Sequence, residues 1–132
     1  IMSQVVPPPE GVAGTRPEDM SEYVRLLRKH FPGDRPNFVG LEGYANARVL
    51  VEGLKRAGPR LTREGFLDAV ESIRDYSLGP GMSVSFGPGG HQGMERVYFT
   101  RLEKGSFVLL HDWSALGKAF QAARSGAAES AP

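Results

Sequence analysis

One stretch limits the folds open to this chain more than any other: the eighteen residues from Leu41 to Gly58, whose apolar side chains recur at intervals of three and four. Tyr44, Ala47, Leu50, Val51, Leu54 and Ala57 fall on one face of a helix, and Glu52, Lys55 and Arg56 fall on the other. That is the stripe of a core-facing helix, and no strand presents such a period. Gly58 supplies a left-handed stop and Pro59 cannot continue a helix, so the end is doubly marked. The spacing predicts a helix over 41–58 on which the remaining segments pack.

Upstream, Ser3 to Val6 reads as a short extended segment, an edge or crossing strand, because Pro7, Pro8 and Pro9 cannot donate the bonds that would prolong a ladder. Thr15 followed by Pro17 and Glu18 carries a capping-box pattern, so a first helix is expected from there. Met20, Tyr23, Val24, Leu27 and Phe31 mark its inward face, Glu22, Arg25, Arg28 and Lys29 its wet one, and Pro32-Gly33 its end. Asp34 to Gly40 is a linker that carries Phe38 and Val39 into the long helix. Downstream, Thr62 is the expected N-cap of a third helix, with Leu61 and Phe66 placed as a hydrophobic staple. Phe66, Leu67, Val70 and Ile73 form its stripe, and Asp75-Tyr76 closes it.

From Leu78 the period changes to two, with Met82, Val84 and Phe86 separated by Ser83 and Ser85, the pattern of a half-buried strand. Gly87 to Gly90 breaks it. Val97 to Leu102 and Phe107 to His111 are two further β-rich runs joined by Glu103 to Ser106, a hairpin. The tail offers Leu116, Ala119, Phe120 and Ala123 at helical spacing, and nothing from Ser125 to Pro132 gives a reason to order. No internal repeat is visible.

Composition narrows the chemistry. With 16 basic against 15 acidic residues in 132, the net charge of +1 provides no field that would recruit nucleic acid, so no nucleic-acid partner is expected. The absence of cysteine removes disulfides, thiolate catalysis and Cys-based zinc sites. No apolar run approaches the roughly 20 residues of a membrane span, and no leader-like segment precedes a cleavage site. The opening Ile1 to Val6 reads as a cut inside a longer protein. His30, His91 and His111 lie on different elements without ligand spacing, so no metal is expected. The serines sit in no elbow-like setting, and Asp68 and Glu71 have no reason for a raised pKa, so no catalytic residue and no cofactor is assigned. Gly79 to Gly81 and Gly87 to Gly90 lack the Lys-Ser/Thr of a phosphate loop and read as turns. Phe38, Glu42 and Tyr44 stand at the start of the long helix, where free amides and a carboxylate suit a small zwitterion. Core packing of the two rings and dipole-favoured placement of the carboxylate are the preferred account of the same residues, since a first-turn glutamate is common for that reason.

Four runs then matter in order: Phe38 to Gly58, Leu61 to Glu64, Leu78-Gly-Pro-Gly-Met-Ser-Val-Ser-Phe86, and His91-Gln-Gly93. Together, over a span from about Ser3 to Trp113, they resemble the C-terminal third of periplasmic substrate-binding proteins of the leucine/isoleucine/valine-binding type, which serve ABC transporters. The resemblance implies an α/β fold of two lobes joined by three crossing segments, with the ligand caught in the cleft as the lobes close. Residues 1–113 would be a C-terminal portion of it, with 3–6 a crossing strand, 15–74 first-lobe helices and 78–112 the last crossing, at Leu78 to Phe86, followed by second-lobe strands. Residues 114–132 would form a tail, helical and then disordered. The resemblance also implies a periplasmic or otherwise extracytoplasmic location, an amino acid or related small acid or amide as ligand, and a membrane permease as partner. Phe38, Leu41 and Glu42 would form one wall of the cleft. A ligand-sensing module of a signalling receptor with the same shape is the alternative. Helices without the parallel sheet they should cover imply exposed apolar faces, and hence self-association or exchange of elements between copies.

Overall fold

The long helix begins earlier than its apolar spacing implies, because a better cap lies upstream. In a computed structural model, which describes residues 1–9, 21–59, 61–79, 81–110, 112–114, 117–118 and 121, Asn37 is extended and its side-chain oxygen accepts from the Gly40 amide at 2.8 Å. That bond fixes the start of α2 at Phe38, and the helix runs Phe38–Ala57. Gly58, at φ 72°, stops it as expected, its N–H donating to the Leu54 carbonyl.

The other described elements are β1 (Met2–Gln4), α1 (Ser21–His30), α3 (Arg63–Glu71), β2 (Tyr76–Gly79), β3 (Met82–Val84), β4 (Tyr98–Glu103) and β5 (Ser106–Leu109). This is a mixed α/β fold with three helices ahead of a β-rich second half. The Thr15 capping box and Met20, as well as His111, Leu116, Ala119, Phe120 and Ala123, lie outside the described residues. In the tail, Trp113, Ser114, Gly117, Lys118 and Gln121 are helical. The cap of α3 is as expected, with Thr62 Oγ1 accepting from the Gly65 amide at 3.0 Å.

Three expectations are corrected. The first strand ends at Gln4, one pair of valines earlier than the 3–6 expectation: Val5 and Val6 leave the ladder, and Val6 turns into the core. The third helix ends at Glu71, with Ser72 as its C-cap and Ile73 beyond it, because β2 begins at Tyr76. And Leu78 to Phe86 is not a single extended crossing. β2 and β3 pair antiparallel across Gly79 and Gly81, so the chain goes out and returns on the same side. The segment that leaves for the second sheet is the later one, 91–97, which belongs to no strand.

That second sheet has the order β1-β4-β5, all antiparallel, with Ser3 opposite Phe99 and Arg101 opposite Val108. Lys104 and Gly105, both at positive φ, form the two-residue turn of the β4–β5 hairpin, whose twist suits paired strands. Hydrophobic burial ties the parts together. Tyr23 of α1, Leu41 and Ala45 of α2, Ile73, Leu78 of β2, Met82 and Val84 of β3, Tyr98 of β4 and Val6 form one contiguous core.

The inward face of α2 is therefore not the one its richest apolar stripe marks. Leu41, Ala45 and Gly53 are buried and Val49 is half-buried, whereas Leu50, Val51 and Leu54 are exposed. Gly53 decides this orientation, since a Cβ there would stand 2.8 Å from Val70 and 2.9 Å from the Phe66 ring. The α3 helix can lie that close only against a residue without a side chain. The remaining stripe of α3 is half as expected: Ile73 is buried, Phe66 and Val70 half-buried, but Leu67 and the intended staple residue Leu61 face solvent, and Ala69 is buried instead.

Candidate functional site

The N-terminal end of α2 lies where the helices meet the three-stranded sheet. Its tip carries free amides, since the first residues of any helix have no intrahelical acceptor, and the Asn37 side chain occupies only the Gly40 amide. Phe38, half-buried, meets Phe107 of β5 edge to face, with ring centroids 5.1 Å apart. This contact bridges the two parts of the molecule. A second bridge is made by Tyr98, whose hydroxyl donates to the Gly81 carbonyl at 2.5 Å. Burial holds the Tyr98 phenol above its ordinary pKa, so the donor is retained across the physiological range.

Of the three residues expected to form a ligand wall, the structure brings two together. Phe38 and Glu42 are one turn apart on α2 and so share a face, with Glu42 exposed. Leu41 is 1% exposed and sits in the core, where its role is to seat the helix. Glu42 is also not a first-turn residue: the earlier start at Phe38 leaves no acidic side chain in the first turn of α2. The helix dipole therefore does not explain its position.

A polar network behind this end went unread in the sequence. The Arg48 guanidinium donates through Nη1 to Glu22 Oε2 at 2.5 Å and to the Tyr44 hydroxyl at 2.9 Å, and through Nε and Nη2 to the Tyr76 hydroxyl at 3.2 and 3.0 Å. Tyr44 in turn donates to Glu22 at 2.7 Å. One side chain of α2 thus fastens α1 and β2 together. The hydrogen bonds from Tyr76 and Tyr44 push the Arg48 pKa up, so the cation is permanent. The Tyr44 hydroxyl and then the Arg48 charge hold Glu22 below the usual carboxylate range. Burial first, and then the bond to Glu22, raises Tyr44. The one available signal was an arginine four residues after a tyrosine, between Ala47 and Val49, inside an apolar run.

Two hollows open on the surface. One, of about 920 Å³, lies between the β2–β3 hairpin and residues 92–96, with Ser77, Ser83, Gln92 and Tyr98 in its lining. The other, of about 560 Å³, lies between α1 and the start of α2 and is lined by Tyr23, Leu27, Phe31, Asn37 and Tyr44 among others. Neither is lined by Phe38, Leu41 or Glu42. Among the described residues no three His, Asp or Glu side chains gather as a metal site would need. His91 instead pairs with Glu71 at 2.9 Å.

A family model decides which group the chain falls in: residues 7–106 match the family described as periplasmic binding protein. The chain belongs to that family. No curated protein and no solved structure matches it at a significant level. Membership gives the chain a solute-binding role toward small molecules and an extracytoplasmic place of work, and the family is in general not enzymatic. Among the described residues no helix is long and apolar enough to cross a membrane.

Proposed function

We propose that this chain is part of a two-lobe receptor that captures an amino acid, a branched-chain one by preference, and delivers it to the permease of an ABC transporter. The contact between Phe38 and Phe107 carries the reading. It puts the head of α2 at the meeting of the helical part and the second sheet, with an aromatic surface for an aliphatic side chain. Glu42, one turn along the same face, is exposed and available to an ammonium group. The Phe38 and Val39 amides at the helix tip suit the carboxylate. Leu41 holds this wall from behind. The uncovered Leu50, Val51 and Leu54 supply independent support for a larger body, since a solute-binding lobe covers such a stripe with its sheet. No residue of the described part is assigned a catalytic role.

A thermal-shift screen of the intact receptor with L-amino acids tests this. A ligand that binds only the folded state raises its apparent stability, so leucine, isoleucine or valine should move the transition upward at concentrations well above their Kd. A transition that none of the three moves, while another solute class does, would replace the ligand assignment.

A further inference from the structure

The β2–β3 hairpin has a second edge, and the chain beside it starts a ladder there without completing it. The Phe86 amide donates to the Ile73 carbonyl at 2.9 Å, toward the chain that leads into β2, whereas the Ser85 amide donates the other way, to the Gly93 carbonyl at 3.1 Å. Backbone groups of alternate residues along a strand point to opposite edges, so the Ser83 amide and carbonyl face residues 92–96 as those of Ser85 do. Two residues on, the pairing lapses: among the described residues no backbone bond joins Ser83 to Glu95. At Gly81 the edge is closed again, by the Tyr98 hydroxyl donating to the Gly81 carbonyl in place of a ladder amide. Gln92 accounts for the gap from the other side, since its Nε2 donates to the Met94 carbonyl at 3.1 Å and ties the segment to itself.

That gap is the hollow of about 920 Å³, a volume within the range of small-molecule sites. Ser83 lines one side of it, and Met94, Glu95 and Arg96 line the other. An extended chain covers about 13 Å between Gly81 and Ser85, which is room for about two or three residues and too little for a strand that passes through two closed ends. The lining narrows the ligand further. A free amide and a free carbonyl at Ser83 match the two faces of a peptide unit. Glu95 and Arg96, both exposed, set opposite charges on one rim, as a molecule with an ammonium and a carboxylate requires. The Glu95 carboxylate has no hydrogen bond or ion pair among the described residues, so it is available. Met94 adds an apolar wall that adapts to small side chains.

We infer that this hollow binds a short free peptide, whose backbone pairs with the Ser83 amide and carbonyl and whose amino and carboxyl ends meet Glu95 and Arg96. The mode is addition of an extended chain to an open strand edge, with main-chain bonds giving affinity and the charged rim selecting free termini. The site is separate from the head of α2, because neither Phe38 nor Glu42 lines it, and it does not depend on the amino-acid reading above.

The test titrates the full chain with L-alanyl-L-alanine, beside L-alanine and the N-acetylated dipeptide amide, and follows amide NMR spectra. The dipeptide is expected to shift Ser83 and residues 94–96 saturably, and the other two compounds far less. Glu95→Gln should weaken the dipeptide Kd roughly tenfold, the size of a lost hydrogen bond to a charged group. Ser83→Pro should abolish binding, since it removes the edge amide at a place where no ladder bond is lost, while Ser83→Ala keeps that amide and should leave the Kd largely unchanged. Thermal melts report the folding of each variant, and the exposed Glu95→Gln carries the test if Ser83→Pro does not fold. A dipeptide that leaves Ser83 and 94–96 unshifted at millimolar concentration would overturn the site. Equal binding of L-alanine or of the blocked dipeptide would overturn the assignment to a free peptide. So would a Kd that Glu95→Gln leaves unchanged.

Discussion

The face that α2 turns inward makes a sharp prediction. Leu41 is 1% exposed and Leu50 is 52% exposed, although both are leucines of one helix and Leu50 lies on its richer apolar stripe. Truncating a fully buried leucine removes its transfer free energy and leaves a cavity, at a cost of about 3 kcal/mol. Leu50 has about half its surface in water already, and few neighbours to lose, so Leu50→Ala should cost less than about 1 kcal/mol. Alanine is in addition the better helix former, which trims the loss further. With a urea m-value of about 2 kcal/mol/M for a chain of this size, Leu41→Ala should lower the midpoint by about 1.5 M and Leu50→Ala by under 0.5 M. Urea titrations followed by far-UV circular dichroism, at one low protein concentration, measure both. Equal losses, or a larger one at Leu50, would show that the stripe read from periodicity is the true core face and that the packing around Gly53 is wrong.

Further outcomes follow from the same geometry. Gly53→Ala should destabilise by up to about 2 kcal/mol in thermal or urea melts, because an overpacking cost of about 1–3 kcal/mol against Phe66 and Val70 is only partly offset by a gain in helix propensity of about 1 kcal/mol. Glu22, bonded to Tyr44 and Arg48, has its folded pKa below its unfolded one. Its contribution is therefore present above an unfolded value near 4.3 and is lost as pH falls through the folded value. Glu22→Gln should flatten the decline in stability below pH of about 4, and an unchanged acid limb would remove the network from the ledger. The exposed Leu50, Val51 and Leu54 should make the isolated 132-residue chain self-associate with rising concentration. Light scattering that reports a folded monomer at high concentration would contradict this.

Much of the fold was legible because local rules agree with it. Thr62 and Gly58 mark helix ends by capping alone, and Lys104-Gly105 closes a hairpin where positive φ is needed. What sequence reading missed depends on partners far along the chain. The Asn37 cap starts α2 at Phe38, three residues before its first core leucine, which only the Gly40 contact reveals. The inward face of α2 follows from the close approach of α3 at Gly53, a distance that no periodicity encodes. Leu78 to Phe86 alternates as one strand would, yet folds back at Gly79 and Gly81, so Tyr76, assigned to a helix end, and Leu78, assigned to the same strand as Val84, both lie in the partner strand β2. At the candidate site, Phe38 and Glu42 were picked out together from their place near a helix start, and their spacing of four does put them on one face. Phe107 was legible only as a strand residue, and the Arg48 network joins residues more than twenty positions apart.

A solute gripped at the head of α2 is the central claim of the proposed function. Isothermal titration of the intact receptor with L-leucine, beside its Phe38→Ala and Glu42→Gln variants, tests that directly. The expected result is saturable binding by the wild type and at least a tenfold weaker Kd in each variant, a loss of about 1.4 kcal/mol or more. Binding that both variants leave unchanged would take the ligand away from this end of the helix and contradict the account.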